Sequence, residues 1–170
     1  MWEHQALTRA RYSTGDAAVG ARFEALRTRI LTRQREPAPL AAEVLAMRDK
    51  MHAAHPNRSG LFDLKHDRGG MIDLEFIVQF LVLAHAHAHP TLTGNLGNIA
   101  LLRMSAELGL IPMQLAERCR NAYRDFRKLQ HALRLNGAKY ARVPQEQVAA
   151  HVAPARALWD SVFDSYRGAG

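Results

Sequence analysis

The sequence predicts an all-α fold, a helical bundle of six or seven helices in a single domain covering residues 1–170. Three observations carry this reading. Apolar residues recur at spacings of three and four almost throughout. The period-two alternation of strands is essentially missing. Proline and glycine fall where helices would start and stop.

The elements follow in order. Residues from Trp2 to Arg11 look like the interior of a helix with no capping residue ahead of them. That abrupt start leads to the expectation that the chain is a piece of a longer protein. Asp16 suits an N-cap, and Val19, Phe23, Leu26 and Ile30 follow as an apolar stripe. Pro37 and Pro39 break that helix, after which Leu40, Val44, Met47 and Met51 repeat the stripe. From His55 to Gly70 no period is sustained, and Pro56, Asn57, Ser59, Gly60 and the Gly69-Gly70 pair mark a loop. A helix is expected from near Asp73 to His89, ahead of Pro90. Its apolar run, Leu74 to Ala88, is too short for a bilayer and reads as a central buried helix. Asn95 or Asn98 can cap the next helix, and Gly109 can close it in the left-handed conformation. Pro112 suits the first turn of a longer helix. Its stripe is Leu115, Cys119, Ala122, Phe126, Leu129 and Leu133, and its opposite surface carries arginine and lysine from Arg118 to Arg134. Gly137 should end it. A last helix runs from about Pro144, bends at Pro154, and continues through Leu158, Val162 and Tyr166.

Composition narrows the class. Apolar residues make up 48% and charged residues 23%, which suits a globular chain. The lone cysteine, Cys119, excludes an intramolecular disulfide and fits a reducing, cytoplasmic compartment. The polar opening from Met1 to Gln5 gives no signal-peptide pattern. A net charge of +7 points to an anionic partner such as a nucleotide, a nucleic acid or an acidic protein surface. The competing reading is a solvated basic face that serves solubility. Nucleic acid is the weaker partner, because no recognition motif accompanies the charge.

The informative stretch runs over residues 62–76, from Phe62 to Phe76. It is a charged loop that ends in Gly69-Gly70 and opens a helix. Paired glycines permit positive φ and a close backbone approach. Lys65 and Arg68 are cationic donors suited to phosphate oxygens. Free N–H groups at the helix start would add to an anion site. Asp73 can cap the helix, and Glu75 sits in its first turn, where the dipole favours a carboxylate. The competing reading has Lys65 and Arg68 paired with Asp63, Asp67 or Asp73 to hold the loop shape. The Gly-Lys-Ser/Thr ending of a Walker loop is absent.

This stretch closely resembles a signature of the glutamine synthetase adenylyltransferases, enzymes that attach and remove AMP on glutamine synthetase. The opening from Trp2 to Arg11 resembles a second signature of that family. So do Glu43-Val44 with the run from Met47 to Met51, and the run from Gln79 to His85. The family has two nucleotidyltransferase halves, each followed by a helical domain. The Asp63–Gly70 form looks like that of the C-terminal, adenylylating half. The resemblance implies a parent enzyme that uses ATP and Mg2+ to move AMP to a tyrosine of glutamine synthetase, under control of glutamine and a PII signal protein. It also implies that a nucleotidyltransferase domain precedes this one.

The family's catalytic core carries a Gly-Ser element and an Asp-x-Asp pair for two magnesium ions. Neither occurs in this sequence. Such chemistry needs those carboxylates to neutralise charge on attacking and leaving oxygens. The chain alone is therefore expected to hold no catalytic residue and no metal. Within the resemblance, Lys65, Arg68, Gly69, Gly70, Asp73 and Glu75 would line a nucleotide cleft or its edge. Trp2, Glu3, Arg9 and Arg11 would contact the neighbouring core, or else form a solvated helix face. Glu75 and Gln79 share a helix face and line either a cleft or a polar seam. His85, His87 and His89 lack a zinc-ligand pattern and read as helix-end histidines. Cys119 reads as a packed core thiol. The alternative from another class is a non-enzymatic basic module that docks an acidic protein or a nucleic acid.

Overall fold

A computed structural model of the chain describes residues 2–166. The side chain of Trp2, expected at a domain contact, lies outside the described residues. Seven α-helices are present among those residues: α1 (Trp2–Leu7), α2 (Ala17–Leu31), α3 (Pro37–Ala54), α4 (Met71–His85), α5 (Asn98–Glu107), α6 (Met113–Leu135) and α7 (Gln145–Phe163). Two-residue strands, β1 (Phe62–Asp63) and β2 (Arg142–Val143), pair antiparallel, with Phe62 opposite Val143. The all-α expectation holds. No helix among the described residues is long and apolar enough to cross a membrane.

The core forms around α4. Every residue of that helix is buried except Glu75, Gln79 and His85, which are partly exposed. Helices α3, α5, α6 and α7 all pack against it. Phe126 of α6 and Phe163 of α7 are wholly buried there, with Leu74, Ile77 and Leu83 of α4 itself. Some helix ends follow the sequence signals, although α5 is capped by Gly97 rather than Asn95 or Asn98, and Pro112 is the N-cap of α6 rather than part of its first turn. Asp16 Oδ1 accepts the N–H groups of Ala18 and Val19 at 2.8 and 3.0 Å, capping α2. After α5, Gly109 takes φ +73°, and the Leu110 N–H reaches back to the Ser105 carbonyl at 2.9 Å. Gly137 does the same after α6, where Ala138 donates to Leu133 at 3.0 Å. Both are glycine-closed Schellman ends.

Three further expectations are corrected. Helix α1 stops at Leu7 rather than running to Arg11. The carbonyls at that end are satisfied by Arg27 of α2, only 3% exposed. Its guanidinium takes the carbonyls of Leu7 at 2.8 Å, Thr8 at 3.2 Å and Thr93 at 2.7 Å. Helix α4 begins at Met71, with Gly70 as its N-cap, and ends at His85 rather than His89. Finally, the predicted stripe of α2 does not face the core. Val19 and Leu26 are exposed, Phe23 and Ile30 are partly buried, and Gly20, Arg27 and Leu31 face inward instead.

Cys119 lies on the buried face of α6, and its thiol donates to the Pro154 carbonyl at 3.3 Å. Burial pushes its pKa up to about 12. A thiol that cannot ionise is a poor nucleophile. Cys119 is therefore expected to resist a thiol reagent near pH 8 in the native protein and to react fully in denaturant. Rapid native labelling would contradict this packing.

Candidate functional site

The loop between α3 and α4 is shaped by carboxylates that point inward. Asp63 Oδ1 accepts the N–H groups of Lys65 and His66 at 3.1 and 3.0 Å. Its other oxygen meets Arg142 Nε at 3.2 Å, across the β1–β2 pair. Asp67 Oδ2 accepts from the Asn57 amide and the Asp63 N–H, both at 2.8 Å. Asp73, third residue of α4, reaches back so that Oδ2 accepts the Gly69 N–H at 2.6 Å. It is thus not an N-cap; from the third position of α4 it reaches past the N-cap Gly70 to the N–H of the residue before it.

Under the loop lies an ion pair that sequence reasoning missed. Arg48 of α3 has no exposed surface, and Asp73 is 2% exposed. Arg48 Nε donates to Asp73 Oδ1 at 2.5 Å, and Nη2 donates to the His66 carbonyl at 2.8 Å. One signal could have found it: Arg48 falls four residues after Val44 and eight after Leu40, on the buried stripe of α3.

Gly69 and Gly70 are both buried. Gly69 has φ +86°, and a Cβ there would stand 2.7 Å from Val152 Cγ1 of α7. At Gly70 a Cβ would stand 2.8 Å from the Leu64 carbonyl oxygen. Their bare backbones pack against protein. The expected anion site at the start of α4 is likewise closed. The N–H of Gly69 goes to Asp73, that of Gly70 to the Asp67 carbonyl, Met71 to Leu64 and Ile72 to Lys65. The N–H groups of residues 69–72 are thus all taken within the protein and do not point at a phosphate.

What the loop presents outward is cationic. Lys65 is exposed, and its ammonium has no ion pair or hydrogen bond among the described residues. Arg68 pairs with Asp49 of α3, not with Asp63, Asp67 or Asp73. Its guanidinium also lies over the Trp159 ring, 5.6 Å from the centroid, and Arg156 Nε donates to its carbonyl at 3.2 Å. Arg68 separates two cavities. One, about 580 Å3, is lined by Asp49, Asp73, Arg156 and Trp159 among others. The second, about 620 Å3, is lined by His52, Asn57, Asp67 and Glu146 among others. Both are within the size range of small-molecule sites.

Glu75 does not join them. It points to the far side of α4, accepting the Tyr123 O–H at 2.8 Å and pairing with Arg9 at 3.3 Å. Burial first, then the Glu75 carboxylate, raises the Tyr123 pKa. The loop is held by α3 and α7, while the segment after α1 meets α4 further along, through Arg9. Glu3 and Arg11 are exposed, and Gln79 is partly buried. His85 is partly buried, with its pKa lowered by burial and by His89 and His87.

An all-helical domain with a buried Arg–Asp pair clamping a Gly-Gly loop is the class that fold and site define. A family model described as GlnD PII-uridylyltransferase matches residues 42–156, from inside α3 to inside α7, and the chain belongs to that family. Curated relatives match over nearly the whole chain. A protein of Aromatoleum aromaticum is 59% identical over 165 residues, 97% of this chain and 18% of its own length. One of Bordetella bronchiseptica is 58% identical over 95% of this chain and 17% of its own length. One of Chromobacterium violaceum is 55% identical over 96% of this chain and 18% of its own length. All three are named bifunctional glutamine synthetase adenylyltransferase/adenylyl-removing enzyme. The resemblance drawn from the motifs therefore holds, and the chain spans about 18% of the length of such relatives.

Two outcomes test the site's architecture. Arg48→Ala leaves a buried carboxylate unpaired and should cost about 3–5 kcal/mol, read from urea unfolding. The pair Arg48→Met with Asp73→Asn should cost less than Arg48→Met alone; additive costs would mean the two residues do not interact. The second concerns pH. Burial, then the His55 ring stacked at 3.9 Å, hold the His66 pKa below its ordinary 6.5. The unfolded chain then takes the proton first. Stability from the neutral ring is present above 6.5 and is lost as pH falls from there toward the folded value. His66→Gln should reduce the fall in urea midpoint between about pH 7 and about pH 5; an unchanged slope would exclude His66 as its source.

Proposed function

We propose that this chain is the helical domain that follows the adenylylating catalytic core in a bifunctional glutamine synthetase adenylyltransferase. The parent enzyme would transfer AMP from ATP to a tyrosine of glutamine synthetase in the cytoplasm, with a PII protein among its regulators. The supporting observation is identity of 55–59% over nearly the whole chain to proteins of that name, of which it spans only 17–18%. The missing Asp-x-Asp pair agrees with a companion rather than a catalytic domain. Among the described residues no group of three His, Cys, Asp or Glu is placed to hold a metal ion. The residues here do not fit the magnesium, which this reading assigns to the core.

In this reading Lys65 is the loop's contact with nucleotide phosphate, and Arg68, held between Asp49 and Trp159, stands ready behind it. Asp73, Gly69 and Gly70 position both from beneath. Glu3, Arg9 and Arg11, with Trp2, lie toward the core domain. The outward apolar face of α2, with Val19, Phe23 and Leu26 around a groove lined also by Arg22 and Arg29, supports contact with another domain.

The test uses the full-length parent. Lys65→Ala should lower kcat/KM for ATP in AMP transfer by about tenfold, through KM, with thermal stability unchanged. An unaltered ATP dependence would remove the phosphate role. AMP labelling of glutamine synthetase by this chain alone would overturn the companion-domain reading itself.

A further inference from the structure

A third cavity, about 630 Å3, shares no lining residue with the two beside the loop. Three elements converge on it. Arg9 comes from the segment after α1, Gly97 and Asn98 from the start of α5, and Arg124, Arg127 and Lys128 from α6. Its lining holds those four cations and no carboxylate. The loop cavities differ, since each sets arginine against aspartate or glutamate.

Its floor is fixed. Asn98 Nδ2 donates to the Tyr123 oxygen at 2.8 Å, and that hydroxyl donates in turn to Glu75. Arg9 is held at the edge by Glu75, at 3.3 Å. Arg124 leans on Asn121, and Lys128 lies 3.5 Å from Asp125. Arg127 is exposed and has no ion pair or hydrogen bond among the described residues. The ten-residue helix α5 also opens here, with Gly97 as N-cap and no side chain bonded to its first N–H groups. At α4 the N–H groups of Met71 and Ile72 go to loop carbonyls, whereas at α5 the Ala100 N–H turns back to Gly97 and the N–H groups of Asn98 and Ile99 have no such loop partner among the described residues.

We propose that this groove binds a small anion bearing a phosphate group. The forked guanidiniums of Arg124 and Arg127 suit paired phosphate oxygens. The start of α5 supplies N–H donors and the positive end of its dipole. Concavity, together with cations from two elements and a helix start from a third, favours a compact ligand over an extended acidic surface. The site is independent of Lys65 and of the nucleotide reading of the loop.

Titration of this chain with inorganic pyrophosphate, followed by amide NMR and calorimetry at fixed ionic strength, tests the proposal. Saturable shifts at Gly97, Asn98 and Ile99 are expected. Arg127→Gln, at an exposed position that the fold does not need, should weaken binding by about tenfold, and Lys65→Ala should leave it unchanged. Four results would overturn the proposal. Shifts could merely follow added chloride, binding could vanish with Lys65→Ala, or Arg127→Gln could have no effect. The fourth is saturation by an oligoglutamate peptide but not by pyrophosphate, which would assign the groove to an acidic protein.

Discussion

The polar half of this molecule depends on one buried ion pair. Arg48 and Asp73 come from different helices and meet where neither touches water. Removing two charges from water costs several kcal/mol per ion, and attraction offsets that only when hydrogen bonds satisfy the remaining atoms. Asp73 meets the condition with the Gly69 N–H, and Arg48 meets part of it with the His66 carbonyl. Arg48 Nη1 has no protein partner, a penalty the pair carries. The physical argument therefore favours a positional role over a net gain in stability. The pair fixes the distance between α3 and α4 and, through the two backbone bonds, the path of the loop across them.

From that constraint follows the division of labour among the loop's charges. Asp63, Asp67 and Asp73 are all spent on backbone N–H groups or on arginines from elsewhere, Arg142 and Arg48. None is left to neutralise Lys65. A loop dense in both signs could have been a self-cancelling surface. Its carboxylates turn inward and its lysine turns outward because backbone amides need acceptors wherever water is excluded. The same economy occupies the N–H groups of residues 69–72 at the start of α4. Glycines that look like a phosphate cradle in the sequence are instead places where α7 and the Leu64 carbonyl press too close for any Cβ.

Much of this was legible in the sequence. Helix number and order, the Asp16 cap, the glycine closures at Gly109 and Gly137, the buried α4 and the core thiol Cys119 follow from periodicity and local chemistry alone. What was not legible depends on tertiary partners. Val19, Phe23, Leu26 and Ile30 have helical spacing, yet spacing does not say whether a stripe faces this core or something else. Arg27 and Arg48 look like surface residues because arginine usually is one. Each is buried because carbonyls or a carboxylate from distant segments await it, and a single sequence does not display such pairings. The β1–β2 pair, two residues each, is too short for any alternation to register.

The outward faces differ in physics but share an edge. Apolar contact at α2 draws on water release and is little affected by salt, whereas the α6 groove works by charge and is screened over about 10 Å at ordinary ionic strength. Between them runs the short segment from Leu7 to Arg9. Arg27 of α2 holds the carbonyls of Leu7 and Thr8, and the next side chain, Arg9, reaches Glu75 at the groove. Shifting α1 relative to α2 would strip a buried guanidinium of carbonyl partners before Arg9 could move. That cost ties the backbone that presents Arg9 to the groove to a contact on the buried side of α2.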